Sequence, residues 1–338
     1  MEKFLDKILL IPEDLSPSKD NLKIEGVFNP AAIRDKTGKI ILYVRVAEAS
    51  LKKNKDNNIK KEQQNLIYLK DGTCRLRTNS HFRKIVLDKE GLIVKKIEKT
   101  PIFKGIKNDS DCGVEDARLI QMDNQYLMTY VSVSIYGGVS TSLAISKDLT
   151  NWSRKGIIFR KENKDVVIFP EKINGKYVAL HRPRGIIEFS KPSIWISYSP
   201  DLVYWGREKS IIEPQDNSWD SDWIGAGCPP IKTKKGWLLI YHGAVKIKRK
   251  MIYSVGAALL DFKNPEKVIA RSPKNKPLII PNKWYEKKGF VNNVVFPTGA
   301  VLDLDGKHLL IYCGGADKFT SVKKILIEDI FNQMELKK

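Results

Sequence analysis

The chain has 338 residues, of which 42% are hydrophobic and 9% aromatic, so it can bury a core and is not globally disordered. Nothing approaches the ~20 consecutive apolar residues of a membrane span, and Met1–Ser18 lacks the apolar stretch of a secretory leader, so a cytoplasmic protein is expected. Fifty-nine basic against 39 acidic residues give a net charge of +20, which suits nucleic acid, an anionic membrane surface or a small anionic substrate.

Short β-branched and aromatic runs follow one another along the chain: Lys39–Val46, Gln125–Ser134, Lys176–His181, Ser193–Ser199, Gly236–Gly243 and Lys307–Cys313. Each lies near turn chemistry such as Lys36-Thr37-Gly38, Asn174-Gly175 or Asp305-Gly306, which predicts strands joined by tight turns. The densest basic run, Lys52–Lys61, is polar and aperiodic and reads as a solvated loop. No helix-turn-helix, RNP or zinc-finger pattern accompanies it, so neither nucleic acid nor membrane is expected as a partner. A seven-residue string, Ser146-Lys147-Asp148-Leu149-Thr150-Asn151-Trp152, recurs as Ser199-Pro200-Asp201-Leu202-Val203-Tyr204-Trp205. A strand–turn–strand unit repeating at this spacing is a propeller-blade signature, with the Asp holding turn amides and the Trp packing between blades. Five or six blades would fit the length, in a single domain over residues 1–338. The tail alone has helical periodicity, at Ile327, Ile330, Phe331 and Met334, and predicts a short C-terminal helix.

Cys74, Cys112, Cys228 and Cys313 are far apart and form no C-x-x-C pair, so they read as small buried apolar residues. His81, His181, His242 and His308 have no ligand spacing to them, and no metal is expected.

Polar residues at the ends of apolar strands gather in five places: Asn29 with Arg45; Glu115-Asp116-Ala117-Arg118; Asn163-Lys164-Asp165 through Glu171 to His181-Arg182; Gly225 through Cys228 to His242; and Asn293 through Phe296 with Asp317. In a propeller such strand ends converge on a central funnel. Taken with the strings FPEKINGKYVALHRP, GWLLIYHG, YSVGAALLD and NVVFPTGA, these clusters resemble glycoside hydrolase family 130, the β-mannoside phosphorylases and their hydrolytic relatives. The resemblance runs from Phe28 to Asp317 and implies an all-β, five-bladed propeller.

The same resemblance implies inverting phosphorolysis of short β-mannosides, with inorganic phosphate as co-substrate and no other cofactor. β-1,2 linkages are favoured and β-1,4 linkages come second. Asp116 matches the general acid, acting through the mannose 3-hydroxyl, and burial is expected to raise its pKa. Lys164, Arg182 and His242 match the basic phosphate pocket. Asn29, Arg45, Arg118, Tyr253 and Asp317 match residues that hold the sugar. Taken alone, each has a plainer reading: Asp116 with Arg118 as a structural turn, Asn29 as a turn cap before proline, Tyr253 as packing between blades.

Trp223 stands where phosphorylases of the family usually carry lysine. It could stack on a sugar face, or mark a site drifted toward water and hence a β-mannosidase. A hydrolase needs a second carboxylate to activate water, and Asp220 and Asp222 are the neighbouring candidates. A sugar-binding propeller without catalysis is the remaining alternative, and assembly into a homo-oligomer is left open.

Overall fold

The computed structural model describes residues 4–51, 59–63, 66–69, 74–107, 109–184 and 190–336. Five antiparallel sheets, each of four principal strands, succeed one another along the chain as the blades of a propeller. The first blade comprises Leu22–Arg34, Ile40–Ser50, Asn79–Leu87 and Val94–Ile97, and the second Val114–Met122, Gln125–Ser134, Gly138–Ser146 and Trp152–Phe159. The third runs from Asn163–Ile168 to Gly206–Ile212, and the fourth is built on Trp223–Ala226, Trp237–Ile247, Lys250–Leu260 and Val268–Arg271. The fifth combines Val295–Leu302, His308–Gly315 and Phe319–Leu326 with the N-terminal strand Leu5–Leu10, which closes the ring.

The alternation of these strands puts apolar side chains between neighbouring blades. Val44, Val46 and Ile85 of the first blade pack with Leu310, Tyr312 and Val322 of the fifth. Phe169 and Leu180 of the third pack with Trp237 and Tyr241 of the fourth. Both copies of the repeated string are turns of one design. The Ser146 hydroxyl and the Asp148 carboxylate accept backbone N–H groups of the turn, as do those of Ser199 and Asp201. Trp152 donates its indole N–H to Tyr43 of the first blade, and the Trp205 ring lies 5.5 Å from Phe159 of the second. Asp261 holds an equivalent turn in the fourth blade without the Trp, and in the first blade Asp88 holds the corresponding connection through a longer turn, accepting from the N–H groups of Leu92 and Ile93.

The predicted C-terminal helix is present at Ile327–Gln333 and packs on Leu309 and Ile311 through Ile327, Ile330 and Phe331. A single-turn helix at Trp284–Lys287 lies between the fourth and fifth blades and was not legible in the sequence. The Lys52–Lys61 run was expected to be a loop. Its last three residues instead open a strand, Ile59–Gln63, in a three-stranded sheet inserted into the first blade, and residues 52–58 lie outside the described residues. Cys228 and Cys313 are buried free thiols as expected, whereas Cys112 is only half-buried, its Sγ 3.7 Å from Asp111 Oδ2, and the side chain of Cys74 lies outside the described residues. Among the described residues no helix is long and apolar enough to cross a membrane.

Candidate active site

Three blades present their first strand to the centre with the same irregularity. In the first, Phe28 and Ala31 pair regularly with the next strand while Asn29-Pro30 bulges between them. Asp116-Ala117 bulges likewise between Glu115 and Arg118, and Asp165-Val166 between Lys164 and Val167. The leading residue of each bulge takes a positive φ: 50° at Asn29, 50° at Asp116 and 57° at Asp165. Asn and Asp tolerate this left-handed backbone far better than branched residues, and a bulge re-aims a side chain out of the pleat. One device, an Asn or Asp leading a bulge, is used three times and turns three polar groups toward the axis.

These groups meet. Asn29 donates from Nδ2 to Asp116 Oδ1 at 2.9 Å, and Arg45 donates from Nη1 to the same oxygen at 3.1 Å. Arg45 also pairs with Glu115 at 2.6 Å, donates from Nε to Ser80, and lies 4.7 Å over the Phe28 ring. Arg118 is buried and reaches across the axis. It donates from Nε to the Gly227 carbonyl of the fourth blade at 2.7 Å, holds the Asp116 carbonyl, and lies 3.5 Å from Asp165. Arg118 thus commits Nε and Nη1 to backbone carbonyls on either side of the site, while its buried Nη2 beside Asp165 makes no hydrogen bond among the described residues.

Asp165, which the sequence reading did not single out as a site residue, is the hub of the neighbouring half. Its Oδ2 accepts from Arg182 Nε at 2.6 Å and lies 3.5 Å from His242 Nε2. Gly225 makes this approach possible, since a Cβ there would fall 2.4 Å from Asp165 Oδ2 and 2.6 Å from His242 Cε1. Lys164 stands directly opposite Arg182 in the sheet, so both side chains emerge on one face, and Lys164 is partly exposed beside Glu162 at 3.4 Å. No partner among the described residues takes the terminal nitrogens of Arg182. A guanidinium anchored through Nε, with its fork free beside an ammonium, is a ready seat for a tetrahedral anion.

Charge states differ from expectation at two residues. Burial pushes Asp116 upward, but the guanidiniums of Arg45 and Arg118 and the hydrogen bond from Asn29 outweigh it, and its carboxyl is held below the usual range. Asp116 is thus ionised in the resting site, where burial alone had been expected to keep it protonated. Burial likewise drives His242 down to about 3, against the pull of Asp165. His242 is a neutral imidazole near pH 7 and offers a hydrogen bond where a positive charge had been expected. Its ring lies 4.4 Å from Phe296.

Asp317, at a positive φ of 52° in the turn after His308–Gly315, behaves in the opposite sense. Burial raises it to about 6, with Arg45 pulling down and the charges of Asp116 and Glu115 pushing up. No hydrogen bond or ion pair takes its carboxyl among the described residues. Tyr253 closes the wall, its hydroxyl raised to about 12 by burial and hydrogen-bonded to Trp223, whose ring meets it edge-on at 5.8 Å. Asp220 is fully buried and bound to Arg271 at 2.6 Å and to the Tyr241 hydroxyl at 3.2 Å, and Asp222 accepts the Lys246 backbone N–H. Both carboxylates suggested as water-activating bases are therefore engaged in holding the fourth blade together. The one group of potential metal ligands among the described residues, Asp303, Asp305 and His308, sits on the turn at the other end of the His308–Gly315 strand from Asp317.

A family model described as beta-1,4-mannooligosaccharide phosphorylase, that of glycoside hydrolase family 130, matches residues 11–336. A Beta-1,2-mannobiose phosphorylase of Listeria innocua is 35% identical over 99% of this chain and 98% of its own length. A 1,2-beta-oligomannan phosphorylase of Thermoanaerobacter sp. is 39% identical over 72% of this chain and 78% of its own. The solved structure of the Listeria innocua enzyme with beta-1,2-mannobiose superposes with a TM-score of 0.85 over 96% of both chains, at 34% identity. A propeller whose bulged Asn and Asp residues gather a carboxylate and a free guanidinium at its axis, matched along almost its whole length by these proteins, is a member of glycoside hydrolase family 130.

Proposed function

We propose that the chain is an inverting β-mannoside phosphorylase acting on short mannosides, β-1,2-linked by preference and β-1,4-linked second. The observation that carries this reading is the pairing of a fixed carboxylate, Asp116, with an unoccupied guanidinium fork, Arg182, across adjacent blades. Phosphate is already a nucleophile, so the protein has to supply an anion seat and one proton donor.

In this reading Arg182 and Lys164 hold phosphate by charge, and neutral His242 donates or accepts one hydrogen bond. Asn29, Arg45, Tyr253 and Asp317 hold the mannose, and Arg118 keeps the bulges in place. A phosphate oxygen attacks the anomeric carbon as the glycosidic C–O bond breaks, giving α-mannose 1-phosphate. The departing oxygen takes the proton of the mannose 3-hydroxyl, which takes the proton of Asp116. Asp116 must therefore gain a proton when the substrates bind. A phosphate dianion seated nearby offsets the two guanidiniums that keep it ionised at rest, which moves its pKa in the required direction.

Water as nucleophile is the second reading, favoured by Trp223 in the lysine position. The engagement of Asp220 and Asp222 argues against it, as does the retention of His242. Arg182→Ala separates the two. A phosphorylase should lose about tenfold or more in apparent affinity for phosphate, as removal of a charge-assisted contact costs about 1.5–3 kcal/mol. A rate indifferent to phosphate in both forms would support the hydrolase.

A further inference from the structure

Beside the funnel, on the side of the fourth and fifth blades, lies a second depression of about 710 Å³. Arg249, Lys250, Lys287 and Lys288 line it together with Trp284 and Asn293, and no acidic residue does. None of the four cations has an ion-pair or side-chain hydrogen-bond partner among the described residues. Trp284 is 62% exposed, although Phe319 and Tyr285 hold its ring edge-on at 5.1 and 5.6 Å.

The depression is built into the fold. Trp284 and Lys287 ride on the single-turn helix, which Glu286 pins from below through a 2.6 Å bond to Lys323, with both charges fully buried. The following loop packs closely, since a Cβ on Gly289 would fall 2.3 Å from the Ala316 carbonyl. That loop joins the wall directly to the candidate site. Val291 N–H bonds the Ala316 carbonyl next to Asp317, and Tyr253 N–H bonds the Asn293 carbonyl. A rigid exposed indole suits the face of a sugar ring, and four unpaired cations suit an anion.

We propose that this depression is a second binding site, for an anionic group, a phosphate ester or a carboxylate, carried by the distal sugar of a mannoside whose other end occupies the funnel. Trp284 is the platform for that sugar, and Arg249, Lys250, Lys287 and Lys288 receive the charge. The inference rests on the phosphorylase reading and narrows its substrates to acidic mannosides. Inorganic phosphate alone does not explain an indole platform in a depression of this size.

The test compares β-1,2-mannobiose and β-1,2-mannotriose, neutral, with a 6-phosphate on the reducing-end sugar, or with a 6-carboxylate there, each in saturating inorganic phosphate. The charged forms should show a KM at least tenfold lower than the neutral ones at low salt. The gain should vanish in an Arg249→Gln, Lys250→Gln, Lys287→Gln, Lys288→Gln variant and shrink in Trp284→Ala, with neutral mannobiose turned over as before. A larger gain from the ester than from the carboxylate identifies a phosphate-bearing sugar, and the reverse identifies an acidic sugar. Equal KM values for charged and neutral forms at both lengths, or a gain that survives the fourfold variant, would overturn the proposal. Failure of neutral mannobiose to yield mannose 1-phosphate would instead overturn the phosphorylase reading, and this inference with it.

Discussion

Asp116 and Asp317 sit near one another and titrate in opposite directions because Arg45 and Arg118 serve Asp116, whereas Asp317 feels burial and two neighbouring carboxylates. Asp116→Asn should lower turnover by about 10²–10⁴-fold, the usual worth of a positioned acid, with the melting temperature little changed. A rate near that of the parent would remove Asp116 from the chemistry. Asp317 has a stability signature as well. Its folded-state pKa, about 6, lies above the unfolded value near 3.8, so its contribution to stability is full at pH below ~4 and is lost as pH rises through 6. Asp317→Asn should therefore raise the melting temperature at pH 8 relative to the parent, shrink that difference toward pH 4, and weaken sugar binding at both. Unchanged pH dependence of melting would contradict the assignment. The sequence pointed to both residues through the strings around them, but not to their charge states. Those depend on Arg45 and Arg118, which come from different blades, and no local pattern encodes that juxtaposition.

At the level of elements, the site depends on bulges and on glycines that leave room for them. Strand identity was legible from β-branched runs and Asp-centred turns, and so was the C-terminal helix from its period. The bulges were not, because Asn29, Asp116 and Asp165 read equally well as turn residues until their neighbours pair around them. The same limit hid Asp165, whose place in the sequence beside Lys164 gives no sign that it anchors Arg182. Gly225→Ala tests the spacing. The added Cβ cannot fit against Asp165 and His242, so the phosphate KM should rise at least tenfold while the KM for mannobiose changes less. Equal effects on both substrates would mean that Gly225 serves the fold and not the anion seat.

Across the whole molecule, the ring is closed by an element far from its partner in sequence. Leu5–Leu10 completes the fifth blade, and Asp6 reaches the buried Lys323 at 2.7 Å, which also binds Glu286 at 2.6 Å. Removing one member of such a group strands the others, so Lys323→Met should cost about 3–5 kcal/mol and expose the N-terminal strand to hydrogen exchange before the other blades. Uniform exchange across the blades would contradict that role for the clasp. The blade repeat was legible because the Asp turns recur, whereas the closure was not, since Leu5–Leu10 alone carries no mark of its partner. The net charge of +20 was the least specific global signal, and the structure gives part of it a place, around the funnel and the depression beside it. The most direct measurement of the central claim is incubation of the protein with β-1,2-mannobiose, with and without inorganic phosphate, followed by assay of mannose 1-phosphate. The account predicts α-mannose 1-phosphate and mannose in equal amounts, only when phosphate is present. Two mannoses per mannobiose at a rate independent of phosphate would contradict it and make water the nucleophile.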